Sequence, residues 1–211
     1  MPKRKSEAVK QRLIAAAIEV VGSRGFRKTT VPLIARKAGV STGTFYIYFK
    51  DKSHVFVDAI MKVSAELKGH IDRVFQERLS ALQDHGVQTE DVVSALTAIY
   101  GAFFDYVDNY RSHFLMLFLE GYSYHEDFAS VLQTTYKNLA EYARLRIIAS
   151  EQLGVTRGLS LIEGETISWA LVGMLSQTAQ MYISGDYNRD AVIKVLVSFT
   201  WNGLKKEQPR Q

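Results

Sequence analysis

Apolar residues recur at three- and four-residue steps along nearly the whole chain, and only three prolines interrupt it. Pro2 and Pro209 lie near the ends, and Pro32 stands where a helix would begin. That spacing lines side chains along one stripe of a helix, whereas a strand would alternate them. The chain is therefore read as all-α, with about nine helices. Val9, Leu13, Ala16, Ala17 and Val20 give the stripe of a first helix over Ser6–Ser23, stopped by Gly25 and preceded by a basic arm at residues 2–5. Phe56, Ile60, Val63, Leu67, Ile71 and Val74 belong to a long helix that opens after Asp51. Breaks fall at 84–89 and 121–125. Helices are expected at about 90–109, Arg111–Leu119, Glu126–Gln152, Ser160–Ile183 and Asn188–Lys205.

The 211 residues are 47% hydrophobic, enough for a packed core. There is no cysteine, so disulfides and thiolate metal sites are excluded. No apolar run approaches the ~18 residues of a membrane span. The basic start PKRK has no apolar core behind it, so no secretory signal is read there. Together these point to a cytoplasmic protein. Neither a metal nor a cofactor is expected. The five histidines are scattered, and no Gly-x-Ser-x-Gly elbow, phosphate loop or His-x-x-x-His pair appears.

The net charge of +4 conceals an asymmetry. Residues 1–53 carry twelve Lys/Arg against three acids, a net +9; the rest carries fourteen against nineteen, a net −5. A basic head on an acidic body is the electrostatic footprint of a segment that meets a polyanion, although a solvated basic face would look the same.

Within that head, Thr29–Lys52 reads as two short helices joined by a tight turn, followed by the start of the long helix. Thr29 or Thr30 is suited to cap the first, with Pro32 in its first turn. Ala38-Gly39-Val40-Ser41 forms the turn. Gly39 supplies the left-handed conformation, and Ser41 caps the next helix. Phe45 and Phe49, four apart, anchor that helix on one face. Thr42, Gly43, Thr44, Tyr46 and Tyr48 are left to be presented.

Thr30, Ile34-Ala35, Ala38-Gly39-Val40-Ser41, Gly43-Thr44-Phe45-Tyr46, Tyr48-Phe49 and Lys52 together resemble the DNA-binding head of the TetR family of transcriptional repressors, over about residues 8–58. The resemblance implies a helix-turn-helix domain at 1–53 and a ligand-binding and dimerisation domain at 54–211. It implies that Thr30, Ser41, Thr42, Gly43, Thr44, Tyr46, Tyr48, Lys52 and His54 meet double-stranded DNA. Phosphate contacts would position the head and a few base contacts would specify sequence. The basic residues Lys3–Lys5 would serve as an arm.

Twelve of the 22 Tyr and Phe residues fall in 100–142. Plain core accounts for such a cluster, but the family's effector pocket lies in this part of the chain. Tyr100, Phe103, Phe104, Phe114, Phe118, Tyr122 and Tyr136, with Trp169, are the candidates to line it. They would suit a small apolar or aromatic effector, such as an acyl chain. The last two helices carry more apolar surface than one stripe needs, as in Val195-Leu196-Val197. That fits a homodimer through a two-fold four-helix interface. The resulting expectation is a ligand-responsive repressor, not an enzyme, that binds a near-palindromic operator as a homodimer. The alternatives are a helix-turn-helix protein without an effector, or an all-α ligand carrier that binds no DNA.

Overall fold

The computed structural model describes residues 2–82, 88–118 and 126–205, with side chains for 7–80, 88–118, 130, 131 and 133–205. Among the described residues there are nine helices and no strand: α1 (Pro2–Arg24), α2 (Val31–Lys37), α3 (Thr42–Tyr48), α4 (Lys52–Leu82), α5 (Thr89–Asn109), α6 (Arg111–Phe118), α7 (Glu126–Gln152), α8 (Leu161–Ser184) and α9 (Arg189–Leu204). The all-α expectation holds, and the helix ends fall within a few residues of the expected ones. One difference lies at the start. The expected arm at 2–5 is the first turn of α1. Lys, Arg, Ser and Glu do not break a helix, and proline is tolerated in the first turn. Tyr122, the expected break at 121–125 and all of the expected break at 84–89 but its last two residues lie outside the described residues; α5 begins at Thr89.

The chain divides into two compact units, Met1–Glu66 with Asn109–Thr135, and Leu67–Asp108 with Tyr136–Gln211. In the first unit, Leu13, Ile14, Ala17, Ile18 and Val21 of α1 pack into a core with Ile34, Phe45, Phe49, Phe56 and Ile60. The apolar face of α1 is wider than the expected stripe. Its far end lies against α6: a Cβ on Gly22 would stand 2.6 Å from the Ser112 carbonyl oxygen and 2.7 Å from its Cα. His113, on the next residue of α6, meets Glu66 of α4 at 3.3 Å. Burial holds the His113 imidazole below its ordinary value, although the Glu66 carboxylate pulls the other way.

In the second unit, Ala102, Phe103, Phe104, Tyr106 and Val107 of α5 are buried with Ile193, Leu196 and Val197 of α9. Arg189 opens α9 and ties it to α5, donating to the Gly101 carbonyl at 2.8 Å and to Asp105 at 2.6 Å. On α7, Arg146 pairs with Asp72 of α4 at 2.5 Å, its guanidinium 4.5 Å from the centre of the Tyr142 ring. α8 begins with a reciprocal cap in which Ser160 and Glu163 bind each other's backbone N–H. That pairing satisfies two of the N–H groups a helix start leaves without partners. No helix is long and apolar enough to cross a membrane, among the described residues.

Candidate nucleic-acid interface

The turn between α2 and α3 is built by three local devices. Gly39 takes φ +66°, where an L side chain is strained. The Val40 N–H returns to the Ala35 carbonyl at 3.0 Å, closing the end of α2. Ser41 then caps α3, its Oγ accepting from the Thr44 N–H at 3.0 Å. A fourth device comes from α1. The Arg12 guanidinium donates to the carbonyls of Ala38 and Gly39, the latter at 3.1 Å. A cation there satisfies carbonyls that a helix end leaves orphaned and meets the negative end of its dipole.

α3 then sorts its side chains by period. Phe45 and the following Phe49 are buried, with their ring centroids 5.6 Å apart. Thr42 and Gly43 are exposed, and Thr44 and Tyr48 are half-exposed. Tyr46 is 57% exposed and Ile47 77%. The Thr44 hydroxyl lies 2.9 Å from Ser41 Oγ, so it belongs to the cap as well as to the presented face.

The flanking residues have mixed roles. Thr30 occupies the backbone N-cap of α2, but its side chain makes no cap bond and is exposed. Thr29 is buried, and its hydroxyl donates to the Gly25 carbonyl at 2.8 Å. Lys52 is half-buried. Its ammonium donates to the carbonyls of Phe26 and Thr29, each at 3.1 Å, and stands 4.3 Å from the Phe26 ring centre. It thus braces the α1–α2 loop against α4. His54 is exposed, with Nδ1 accepting from the Lys50 N–H at 3.4 Å and the ring edge-on to Phe49. A neutral imidazole accepting at Nδ1 carries its proton on Nε2.

Several cations of the basic head are engaged within the protein. Lys10 pairs with Asp58 at 2.8 Å, and that hydrogen bond raises the ammonium above its ordinary value. Lys37 pairs with Glu19 at 2.5 Å. Sequence reasoning passed over Arg12, whose partners lie 26 and 27 residues away, and Ile47. The second had a signal: an apolar residue midway between the two anchors falls on the opposite side of the helix.

The aromatic candidates divide between the units. Phe114 and Phe118 are buried in the first, with ring centroids 4.7 Å apart. Tyr100, Phe103, Phe104 and Tyr136 are buried in the second, and Trp169 is partly exposed on α8. Phe104 meets Tyr182 edge-on at 5.2 Å. The Tyr100 hydroxyl lies 2.5 Å from that of Thr200, and burial pushes its pKa up to about 12. Among the described residues no cluster of His, Asp and Glu could hold a metal ion.

On α8, small residues face inward, namely Gly164, Ser168, Ser176 and Ala179, while Leu161 is 85% exposed and Ile162 is exposed with it. On α9, Val195 and Phe199 are 68% and 70% exposed, whereas Leu196 and Val197 are buried. One side of the pair is core, and the other is an uncovered apolar surface.

The model of the family described as bacterial regulatory proteins, tetR family, matches residues 13–59. The HTH-type transcriptional regulator BetI of Serratia proteamaculans (strain 568) is 32% identical over 195 residues, covering 89% of this chain and 94% of that one. Among solved structures, FadR from Bacillus subtilis in complex with stearoyl-CoA aligns with a TM-score of 0.67 at 17% identity, over 92% of this chain and 98% of that one. A SmeT–triclosan complex aligns with a TM-score of 0.72 at 15% identity, over 95% and 93%. At those identities the likeness to the two structures is one of fold.

Proposed function

This chain belongs to the TetR family, whose members are DNA-binding transcriptional regulators and not enzymes, and on that premise we propose that it is a cytoplasmic repressor released from its operator by a largely apolar small molecule. The observation that carries the reading is the division of α3. Its anchors Phe45 and Phe49 are buried, while Thr42, Gly43, Tyr46 and Ile47 stand exposed in the basic part of the chain. Such a helix offers its outer face to a major groove.

In this reading residues 1–53 form the DNA-binding domain. Thr30, Tyr46, Tyr48 and His54 contact phosphates, His54 through Nε2. Ser41, Thr42, Gly43 and Thr44 lie at the groove floor or its rim. An ammonium has three N–H donors, and two of those on Lys52 are engaged by carbonyls, which leaves one for a phosphate. Residues 54–211 hold the effector and the dimer. The exposed apolar side of α8 and α9 meets its copy about a two-fold axis, over an area on the order of 2,000 Å². The two copies of α3 then enter successive major grooves ~34–36 Å apart.

The effector class is argued from the apolar candidates of the second unit, Tyr100, Phe103, Phe104, Tyr136 and Trp169. It is supported by the stearoyl-CoA and triclosan bound in the two structural relatives. Binding would tilt α4 and change the separation of the heads. The ligand acts only through its different affinities for the two states, typically ~1–3 kcal/mol.

A gel shift with DNA upstream of the protein's own gene tests this, titrated with stearoyl-CoA and with triclosan. A shift reversed by either ligand supports the whole reading. A shift insensitive to both withdraws the effector class. No shift at low salt sinks the operator assignment. Light scattering should give twice 23.8 kDa.

A further inference from the structure

We propose that Ile47 reads thymine by its C5-methyl group, which makes it a specificity-determining residue of this chain. The assignment rests on the reading that α3 lies in the major groove. Among the described residues Ile47 is the most exposed large apolar side chain of α1–α4, at 77%. Its exposure follows from helical period. It stands two residues after Phe45 and two before Phe49, both buried, so it projects about 160° away from each anchor.

The residues that share its face, three and four positions earlier, are Thr44 and Gly43. Gly43 has no side chain, and a Cβ there would meet only Ser41 Oγ, at 3.7 Å. The Thr44 hydroxyl is already within 2.9 Å of Ser41 Oγ. The outermost point of α3 is therefore a branched hydrocarbon beside bare backbone. Isoleucine offers no donor and no acceptor to a phosphate or to a base edge. The one apolar group that base pairs display in the major groove is the thymine C5-methyl. Removing a methyl from water contributes about 0.8 kcal/mol, or roughly fourfold in Kd per thymine engaged.

The test uses the full-length protein. Duplexes that bind the wild type are selected from a random library. Each thymine of the winning site is then replaced in turn by deoxyuridine, which keeps the base pair and removes only the methyl. One or two positions in each half-site should lose about fourfold in affinity with the wild type and show no loss with Ile47→Ala. The variant should melt at the wild-type temperature, since its side chain is exposed. The assignment is overturned if no thymine in the winning site responds to methyl removal, or if Ile47→Ala responds equally. Failure to select any duplex overturns the reading of α3 itself, and this assignment with it.

Discussion

Replacing Gly43 by alanine should strengthen the fold and weaken its hold on DNA, and the two effects can be read separately. Gly43 is the second residue of α3 and does not have positive φ, so its backbone suits any L residue. A Cβ there would meet only Ser41 Oγ, at the ordinary contact distance of 3.7 Å. Alanine is preferred to glycine within a helix by about 0.5–1 kcal/mol. For a chain of this size that raises Tm by roughly 1–4 °C. At the proposed interface the same methyl stands where the backbone of α3 approaches the groove. Displacing the helix enough to lose one direct hydrogen bond costs about 1.4 kcal/mol, or tenfold in Kd. Melting followed by circular dichroism gives the first quantity, and fluorescence anisotropy on the selected duplex at fixed salt gives the second. Affinity within twofold of wild type would show that the backbone at 43 keeps clear of the DNA. A lower Tm would show that the fold needs this glycine, against the open space the structure provides.

Gly22→Ala should act in the opposite sense on stability. Its Cβ would collide at 2.6–2.7 Å with the backbone and Cβ of Ser112, neither of which can rotate away. Overpacking of that kind costs about 1–3 kcal/mol, or roughly 2–12 °C in Tm, and an unchanged Tm would show that α1 and α6 slide apart freely. Lys52→Met removes two hydrogen bonds to the carbonyls of Phe26 and Thr29 and should cost about 1–3 kcal/mol of stability. If its third N–H meets a phosphate, the slope of log K against log salt becomes shallower by about one, and an unaltered slope would confine Lys52 to bracing. Hydrogen bonds from Ser160 and Arg157 hold the Glu163 carboxylate down to about 2. A carboxylate whose folded pKa lies below its unfolded value of 4.5 contributes stability above 4.5 and loses it as pH falls towards 2. The gap in Tm between wild type and Glu163→Gln should close across that window, whereas a constant gap would show that charge is not what Glu163 supplies.

The helices were legible because their signals are local. The stripe, the capping residue and the stop all lie within a few positions of each end, as at α8, which opens after Ser160 and ends at Gly185. The turn was legible for the same reason, since φ +66° at Gly39 is a position that glycine alone takes readily. Contacts that join residues far apart in the chain were not. Tyr100 reads from the sequence as one of a cluster of aromatics, whereas its hydroxyl finds Thr200, one hundred positions away. A charge count includes Arg12 and Lys52 in the +9 of the head without distinction, because nothing in composition shows which carbonyls a folded loop brings within reach. The basic arm failed on a different ground. Pro2 and the lysines after it carry no stop signal, so α1 continues through them.

The two inward cations explain how so small a head holds a presentable helix. α2 and α3 have seven residues each. A helix leaves four N–H and four C=O groups without internal partners, so in helices this short most of the backbone must be satisfied from outside. Short helices are also unstable alone. Arg12 meets the carbonyls at the end of α2, Ser41 meets an N–H at the start of α3, and Lys52 meets the loop that leads into α2. Each contact ties a seven-residue element to a neighbouring turn or to a longer helix. It follows that the +9 of residues 1–53 overstates the charge offered to a polyanion, because Lys10, Arg12 and Lys37 are engaged by protein partners. Part of the basic character of the head holds α2 and α3 in place, and only the remainder is available to phosphates.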